Sequence, residues 1–463
     1  MLGPAMARPL CTLVALGGAA AALAFARPSS ALDLPFTRSE LPNGLTVIVH
    51  EDHTLPQLAV NIVYRVGSRD EEARRTGFAH LFEHLMFMGT ARVPPKMFDA
   101  WMEAAGGSNN AWTSSDLTDY HEAGPPGALP LLLWLEADRL ATLGREIDKA
   151  KLDLQRDVVR NERRQSIENV PYGKVELRMP ELLYPDASPY HHPVIGSHED
   201  LVAASVEDVR GFFDKYYVPS NASLVVAGDV KPAEVTELVG RYFSPLTRRP
   251  RPPRLSAQPP PRLGRVVRET LPDRVELAKL VVAFHSPARF APGDAELDLL
   301  SAVLSTGKAS RLYKALVYDR PLAQSVSAQQ GSADLSSVFT VEVVARAGVS
   351  LDDIEREVDG VLRDLAAKAP TADEIKRAKS GFEYQFISGL QSLPARARQL
   401  NLYEVEAGDA GFIDKDLNRY RAATAEGIHD WAQKTLTLSE RVILRVVPQP
   451  PAGAGAGSAG GAP

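Results

Sequence analysis

The chain has 463 residues and a formal charge of −6, with 44% hydrophobic, 24% charged and 7% aromatic side chains. These values place it among globular proteins of one long or two ordinary domains and exclude disordered, collagen-like and disulfide-knotted classes. Mild acidity argues against nucleic-acid binding. The single cysteine, Cys11, falls in a leader expected to be removed, so no disulfide or thiol chemistry is expected of the mature chain.

Residues 1–31 read as a signal peptide, with an early charge at Arg8, an apolar run from Leu10 to Ala26, and small residues at Ser29 and Ala31 before the expected cleavage. The expectation is export, to a periplasm-like compartment, with no stable membrane span after cleavage. Retention of the apolar run as an anchor is the alternative, and at about 17 residues it lies at the short limit for a bilayer span.

Two β-branched runs, Gly44–His50 and Ala59–Tyr64, suit paired strands. Helical patterns follow at Gly77–Met88, Pro95–Ala105, Leu129–Leu143 and Asp148–Glu168, and Leu224–Ala227 forms a late strand. Between Pro245 and Pro261 the chain is rich in proline and arginine, the composition of an extended, semi-rigid linker. Beyond it the order recurs: a strand at Glu276–Phe284, a helix at Ala291–Leu304, a strand at Val338–Ala345, helices, and a closing strand at Val442–Val447. Two of those helices begin with capping boxes, Ser350–Asp353 and Thr371–Glu374. The expected organisation is a leader 1–31, a first domain 32–244, a linker 245–262, a second domain 263–447 and a disordered tail 448–463. Each half, at about 210 and 185 residues, has the size of an independent fold. The fold class is α+β, two duplicated α/β layers with mixed sheets packed by helices.

The residues that carry chemistry are His80-Leu-Phe-Glu83-His84. Four residues separate the imidazoles, so on a helix both lie on one face, one turn apart, able to share a metal ion. Glu83 borders that face and can act as general base on a polarised water, the arrangement of the H-x-x-E-H signature. Apolar Leu81, Phe82, Leu85, Met86 and Phe87 surround the trio and bury it, where uncompensated polar groups are costly and a cation offsets the cost. A catalytic zinc site needs a third protein ligand. Glu162 and Glu168 on a later helix are both candidates, and spacing does not choose between them, although Arg160, Arg163 and Arg164 would keep Glu162 ionised.

Together with Asn161-Glu-Arg-Arg164, Gly106-Gly-Ser-Asn-Asn-Ala-Trp-Thr113 and the segment Tyr217–Asp229, this motif resembles the pitrilysin/insulinase family of inverzincin metallopeptidases, from about Leu34 to Val447. The resemblance implies one zinc per chain, held by His80, His84 and Glu162. It implies Glu83 as catalytic base, and a substrate-binding edge strand at Asn110, Ala111 and Trp112 where an extended peptide adds by backbone hydrogen bonds. It implies two homologous domains forming half of a clamshell, only the first with metal. Two positions depart from the family pattern. A second acid often found seven residues before the third ligand is Gln155 here, and the Arg and Tyr that reach across to substrate are matched by Val317 and Gln324. The expectation is a zinc endopeptidase acting on peptides or unfolded segments, completed as a heterodimer by a metal-free homologous subunit. The alternative is a non-catalytic assembly subunit. His191 and His192 read as solvated, Arg311 and Tyr313 as helix-packing residues, and Asn221-Ala-Ser223 as an acceptor pattern without modification.

Overall fold

Eleven strands form two sheets in a computed structural model that describes residues 32–257 and 261–449. The leader with Cys11, residues 258–260 of the linker, and the tail beyond 449 lie outside the described residues. The first sheet comprises β1 (Thr37–Glu40), β2 (Thr46–Glu51), β3 (Leu58–Tyr64), β4 (Ser108–Thr113), β5 (Thr118–Gly124) and β6 (Ala222–Gly228), in the order β1-β2-β6-β3-β5-β4. Only β2 and β6 run parallel. The second comprises β7 (Val266–Asp273), β8 (Lys279–Ser286), β9 (Ala323–Gly331), β10 (Ser337–Ala345) and β11 (Arg441–Pro448), in the order β7-β11-β8-β10-β9, with only β7 and β11 parallel. Without β1, the first sheet has the same order and sense, so the two halves are structural duplicates of an α+β layer.

The strands at the centre are buried on both faces, as their continuous apolar sequences require. β3 reads LAVNIVY and β6 reads ASLVVAG, and every residue of both is buried. One face of the first sheet packs on helices of its own half, with α1 (Phe78–Leu85), α2 (Met97–Ala104) and α3 (Leu129–Glu146) contributing to that core. The other face is covered by the helix Leu393–Leu402, which comes from the second half. Asn401 fixes that crossing: fully buried, its Nδ2 donates to Asn61 O at 3.0 Å, Asn61 Oδ1 at 2.7 Å and Ser223 O at 3.0 Å.

The exchange is reciprocal. In β8 the side chains alternate, Leu280, Val282 and Phe284 entering the second half's own core while Val281 and Ala283 face the other way. That opposite face meets Met179 and Leu183 of α5 (Lys174–Leu183), a helix of the first half. Neither sheet is therefore closed by its own half alone. The linker does not stand off from the body: Arg251 Nε donates to Ser220 O at 2.6 Å, Arg254 Nη1 to Val405 O at 2.8 Å, and Arg254 pairs with Asp334. The closing strand runs one residue into the expected tail, to Pro448.

The segment after α3 departs from the single helix expected over Asp148–Glu168. Asp148 caps α4 (Lys149–Glu162) by accepting from Lys151 N at 2.8 Å, and Arg163–Glu168 continues as a wider π-helical turn. Such turns often mark functional positions, and this one begins directly after Glu162.

Candidate metal centre

α1 begins without a side-chain cap of its own, at Gly77 in the left-handed conformation (φ 87°), where a Cβ would stand 2.8 Å from Ile195 O. The free amides of its first turn are instead met by Glu71, whose two oxygens accept from Gly77 N and Ala79 N, each at 2.8 Å. The Glu71 side chain is fully buried, and burial pushes its carboxyl well above the usual range. On its inner face α1 is anchored by Phe82, stacked on Phe212 and Phe213 at 5.6 and 5.7 Å. This packing leaves the face carrying His80, Glu83 and His84 turned towards the end of α4.

There the rings converge with Glu162. His80 Nε2 and His84 Nε2 are 3.4 Å apart, His84 Nε2 lies 3.2 Å from Glu162 Oε2, and His80 Nε2 lies 3.7 Å from Glu162 Oε1. Taking one atom from each residue, the three donors lie within 4.8 Å of one another. A tetrahedral ion with bonds of about 2.1 Å separates its ligands by about 3.4 Å, so two imidazole nitrogens and a carboxylate at these spacings fit one zinc ion. Burial, followed by the adjacent His84 ring, lowers His80 to about 4, which keeps its imidazole neutral and free to donate a lone pair. The hydrogen bond with His84, with the His80 ring adding to it, holds Glu162 below the usual carboxylate range and therefore ionised. Glu168, the other sequence candidate, is engaged elsewhere: it accepts from Arg163 Nε at 2.8 Å and contacts His198 Nε2 at 3.0 Å.

Glu83 is not among the converging donors. Its Oε2 accepts from Thr113 Oγ1 at 2.6 Å, and burial raises its carboxyl against the pull of that bond. Thr113 ends β4, the outer strand of the first sheet. Asn110, Ala111 and Trp112 lie on the same strand, whose free edge can accept an added strand. Ala111 packs towards the α1 side. The Trp112 ring lies with Val63, Leu117, Leu402 and Val405 under the Arg398 guanidinium, 4.5 Å away, so its side chain belongs to the seam between the halves.

Thr113 and Glu71 escaped the sequence reading. Thr113 closes the quoted Gly106–Thr113 segment, yet only the β4 register aims it at Glu83. Nothing in the spacing of Glu71 marks it as the partner of a helix that starts seven residues later. Gln155 is buried and donates to Met88 Sδ at 2.6 Å. Val317 packs against the second core, whereas Gln324 is exposed on β9, the outer strand of the second sheet. His191 Nδ1 contacts Tyr184 O at 2.8 Å, and buried Asn221 donates to Tyr216 O and Arg65 O. Arg311 grips Glu374 of the second capping box with both arms of its fork, at 2.8 and 2.9 Å.

Two family models match: Insulinase (Peptidase family M16) over residues 46–187, and Peptidase M16 inactive domain over residues 203–382. The chain is 30% identical over 377 residues to zinc protease PqqE of Helicobacter pylori, covering 81% of this chain and 84% of that protein. A crystal structure of a protease from Helicobacter pylori superposes with a TM-score of 0.82 at 26% identity, covering 90% of this chain and all of the other. The periplasmic protease PqqL from Escherichia coli shares the fold (TM-score 0.72, 18% identity), with 90% of this chain matching 48% of that one.

Proposed function

The chain belongs to the insulinase family of peptidases, M16, and on that premise we propose that it is a zinc endopeptidase hydrolysing peptides or unfolded segments. The observation that carries this reading is the convergence of His80, His84 and Glu162 beside a Glu83 tethered to the edge strand. His80, His84 and Glu162 would hold the zinc, one ion per chain, and bound zinc would supply Lewis acidity towards water and the scissile carbonyl. Glu83 is the general base: with Oε2 occupied by Thr113, Oε1 takes the proton of the attacking water and returns it to the leaving amine. The backbone of Asn110, Ala111 and Trp112 lays the substrate out as an added strand, which confers affinity with little demand on sequence.

Completion by a homologous metal-free subunit follows from Val317 and Gln324, neither of which can donate the charge of an arginine or act as a tyrosine phenol. Action in an exported, periplasm-like compartment rests on the leader sequence. Among the described residues no helix is long and apolar enough to cross a membrane. A non-catalytic assembly role has no use for three converged donors and a tethered base. The test is metal content and peptide cleavage of wild type and Glu83→Gln, each with and without the homologous subunit. Zinc bound by both, and turnover only by wild type with the homologous subunit present, is expected, and full activity in Glu83→Gln would exclude it as base.

A further inference from the structure

Where β3 ends, the chain places an arginine that nothing answers. Arg65 is mostly buried, its Nη1 is fully enclosed, and among the described residues no acid or acceptor meets its guanidinium. Burial, then Arg251 and Arg254, bring it down to about 10 against the pull of Glu404, which is itself paired with Arg38. An isolated buried cation is costly unless something compensates it.

The four arginines Arg38, Arg65, Arg251 and Arg254 line one cavity of about 400 Å³, between the end of β3, the linker and the turn Tyr403–Gly408. Two of them are already neutralised. Arg38 forks onto Glu404 at 3.0 and 2.7 Å, and Arg254 pairs with Asp334. Arg251 has only a carbonyl, Ser220 O, leaving its terminal nitrogens free. Of the remaining acids on the wall, Glu40 is exposed, and Asp70 is occupied by Gly67 N at 3.0 Å and by Arg69 at 3.7 Å. Two unpaired guanidinium groups thus face one space, of a size suited to a small molecule.

We infer that this cavity is an oxyanion site, in which Arg65 and Arg251 grip a phosphate group, free or as a small phosphomonoester. Guanidinium forks match the geometry of phosphate oxygens and bind them by paired charge-assisted hydrogen bonds. The bound anion would join three segments, the first sheet, the linker and the second half, and so tighten the seam between the halves. The cavity shares no lining residue with the metal centre, and its readout does not use turnover.

The test is isothermal titration calorimetry of the full-length, zinc-loaded protein with inorganic phosphate or glycerol phosphate at ionic strength fixed with sodium chloride, with thermal unfolding of each phosphate-free protein alongside. A saturable isotherm is expected, half-complete below about 1 mM. Arg65→Met should weaken the half-point by at least about tenfold, yet without phosphate match or exceed wild type in Tm, because it removes a repelled charge. If Arg65→Met fails to fold, Arg251→Gln on the exposed linker carries the same expectation. A lower half-point for glycerol phosphate assigns the site to an ester, and equal half-points assign it to free phosphate. No binding, an isotherm that never saturates, or a saturable isotherm unchanged in both variants overturns the assignment, the last placing the anion elsewhere, the metal centre included.

Discussion

Replacing Thr113 with valine removes one hydroxyl and keeps the β-branched shape suited to β4. That hydroxyl donates to Glu83 at 2.6 Å, and of the forces on Glu83 burial is the largest and raises its carboxyl, while the Thr113 bond lowers it. A hydrogen bond to an ionised group contributes about 1.5–3 kcal/mol, and about 1.4 kcal/mol corresponds to one pKa unit. Complete loss would raise Glu83 by about one to two units, and water reaching the partly exposed carboxylate reduces the rise to about one. A general base acts in its ionised form, so activity is present above its pKa and lost as pH falls through it. The acid limb of kcat/KM should therefore move about one pH unit upward in Thr113→Val. A bound cation lowers Glu83 in both proteins and cancels from the difference. The assay is a pH profile of cleavage of a fluorogenic peptide, with the homologous subunit present and zinc content measured alongside. Superimposable acid limbs with zinc retained would refute the coupling of Thr113 to the base.

In Glu83→Gln, zinc content should match wild type while kcat falls by at least about 10²-fold, the contribution of a positioned base; metal analysis and peptide hydrolysis read the two separately. Asn401→Ala removes the donations to Asn61 O, Asn61 Oδ1 and Ser223 O and leaves the Asn61 side-chain oxygen without this donor in the interior, and should lower stability by about 1–3 kcal/mol. Urea unfolding measures it, and a change under about 0.5 kcal/mol would show that the exchanged helix is held by apolar packing alone. Glu374 is brought down to about 2, chiefly by its hydrogen bonds from Arg311. Its folded-state pKa is depressed, so the stabilisation is present above the ordinary carboxylate pKa of about 4.3 and lost as pH falls towards 2. Allowing for screening at a partly exposed pair, Arg311→Met should remove about 1–2 kcal/mol of acid-side pH dependence; denaturant midpoints compared at pH 5.5 and 2.5 test this, and parallel declines in both proteins would contradict it.

The α1 half of the candidate centre was legible because helical spacing is local: residues four apart share a face wherever the helix packs. Glu162 was not fixed that way. It sits on another helix, so local spacing left it level with Glu168 and only the family resemblance chose it; the Arg163–Glu168 and His198–Glu168 contacts show Glu168 engaged elsewhere. The central strands β2, β3, β6, β8, β10 and β11 were readable from their apolar runs. β5, TDYHEAG, was not, because its polar residues are paired inside: Asp119 accepts from Asn61 and Glu122 accepts from Arg139. β9, with Gln and Ser along an exposed edge, lacks the apolar signal altogether. The reciprocal exchange of α5 and Leu393–Leu402 depends on contacts between halves far apart in the chain, which no local period records.

The duplication explains why only one half offers the donors. In the first half Arg74 (φ 63°) and Gly77 (φ 87°) precede α1; in the second, Phe290 (φ 60°) and Gly293 (φ 99°) precede the helix Asp294–Ser305 at the same spacing. Aligned on that shared backbone signature, His80 corresponds to Glu296, Glu83 to Leu299 and His84 to Leu300. Glu296 is spent on capping its own helix at Gly293 N, and Leu299 and Leu300 are buried in the second core. The face that gathers donors in one copy has become packing in the other. That packing half is nonetheless indispensable to the first, since its helix Leu393–Leu402 covers a face of β3 and β6 that would otherwise expose an apolar sheet to water. The centre on α1 and α4 thus depends for its folded frame on a half that carries none of its ligands.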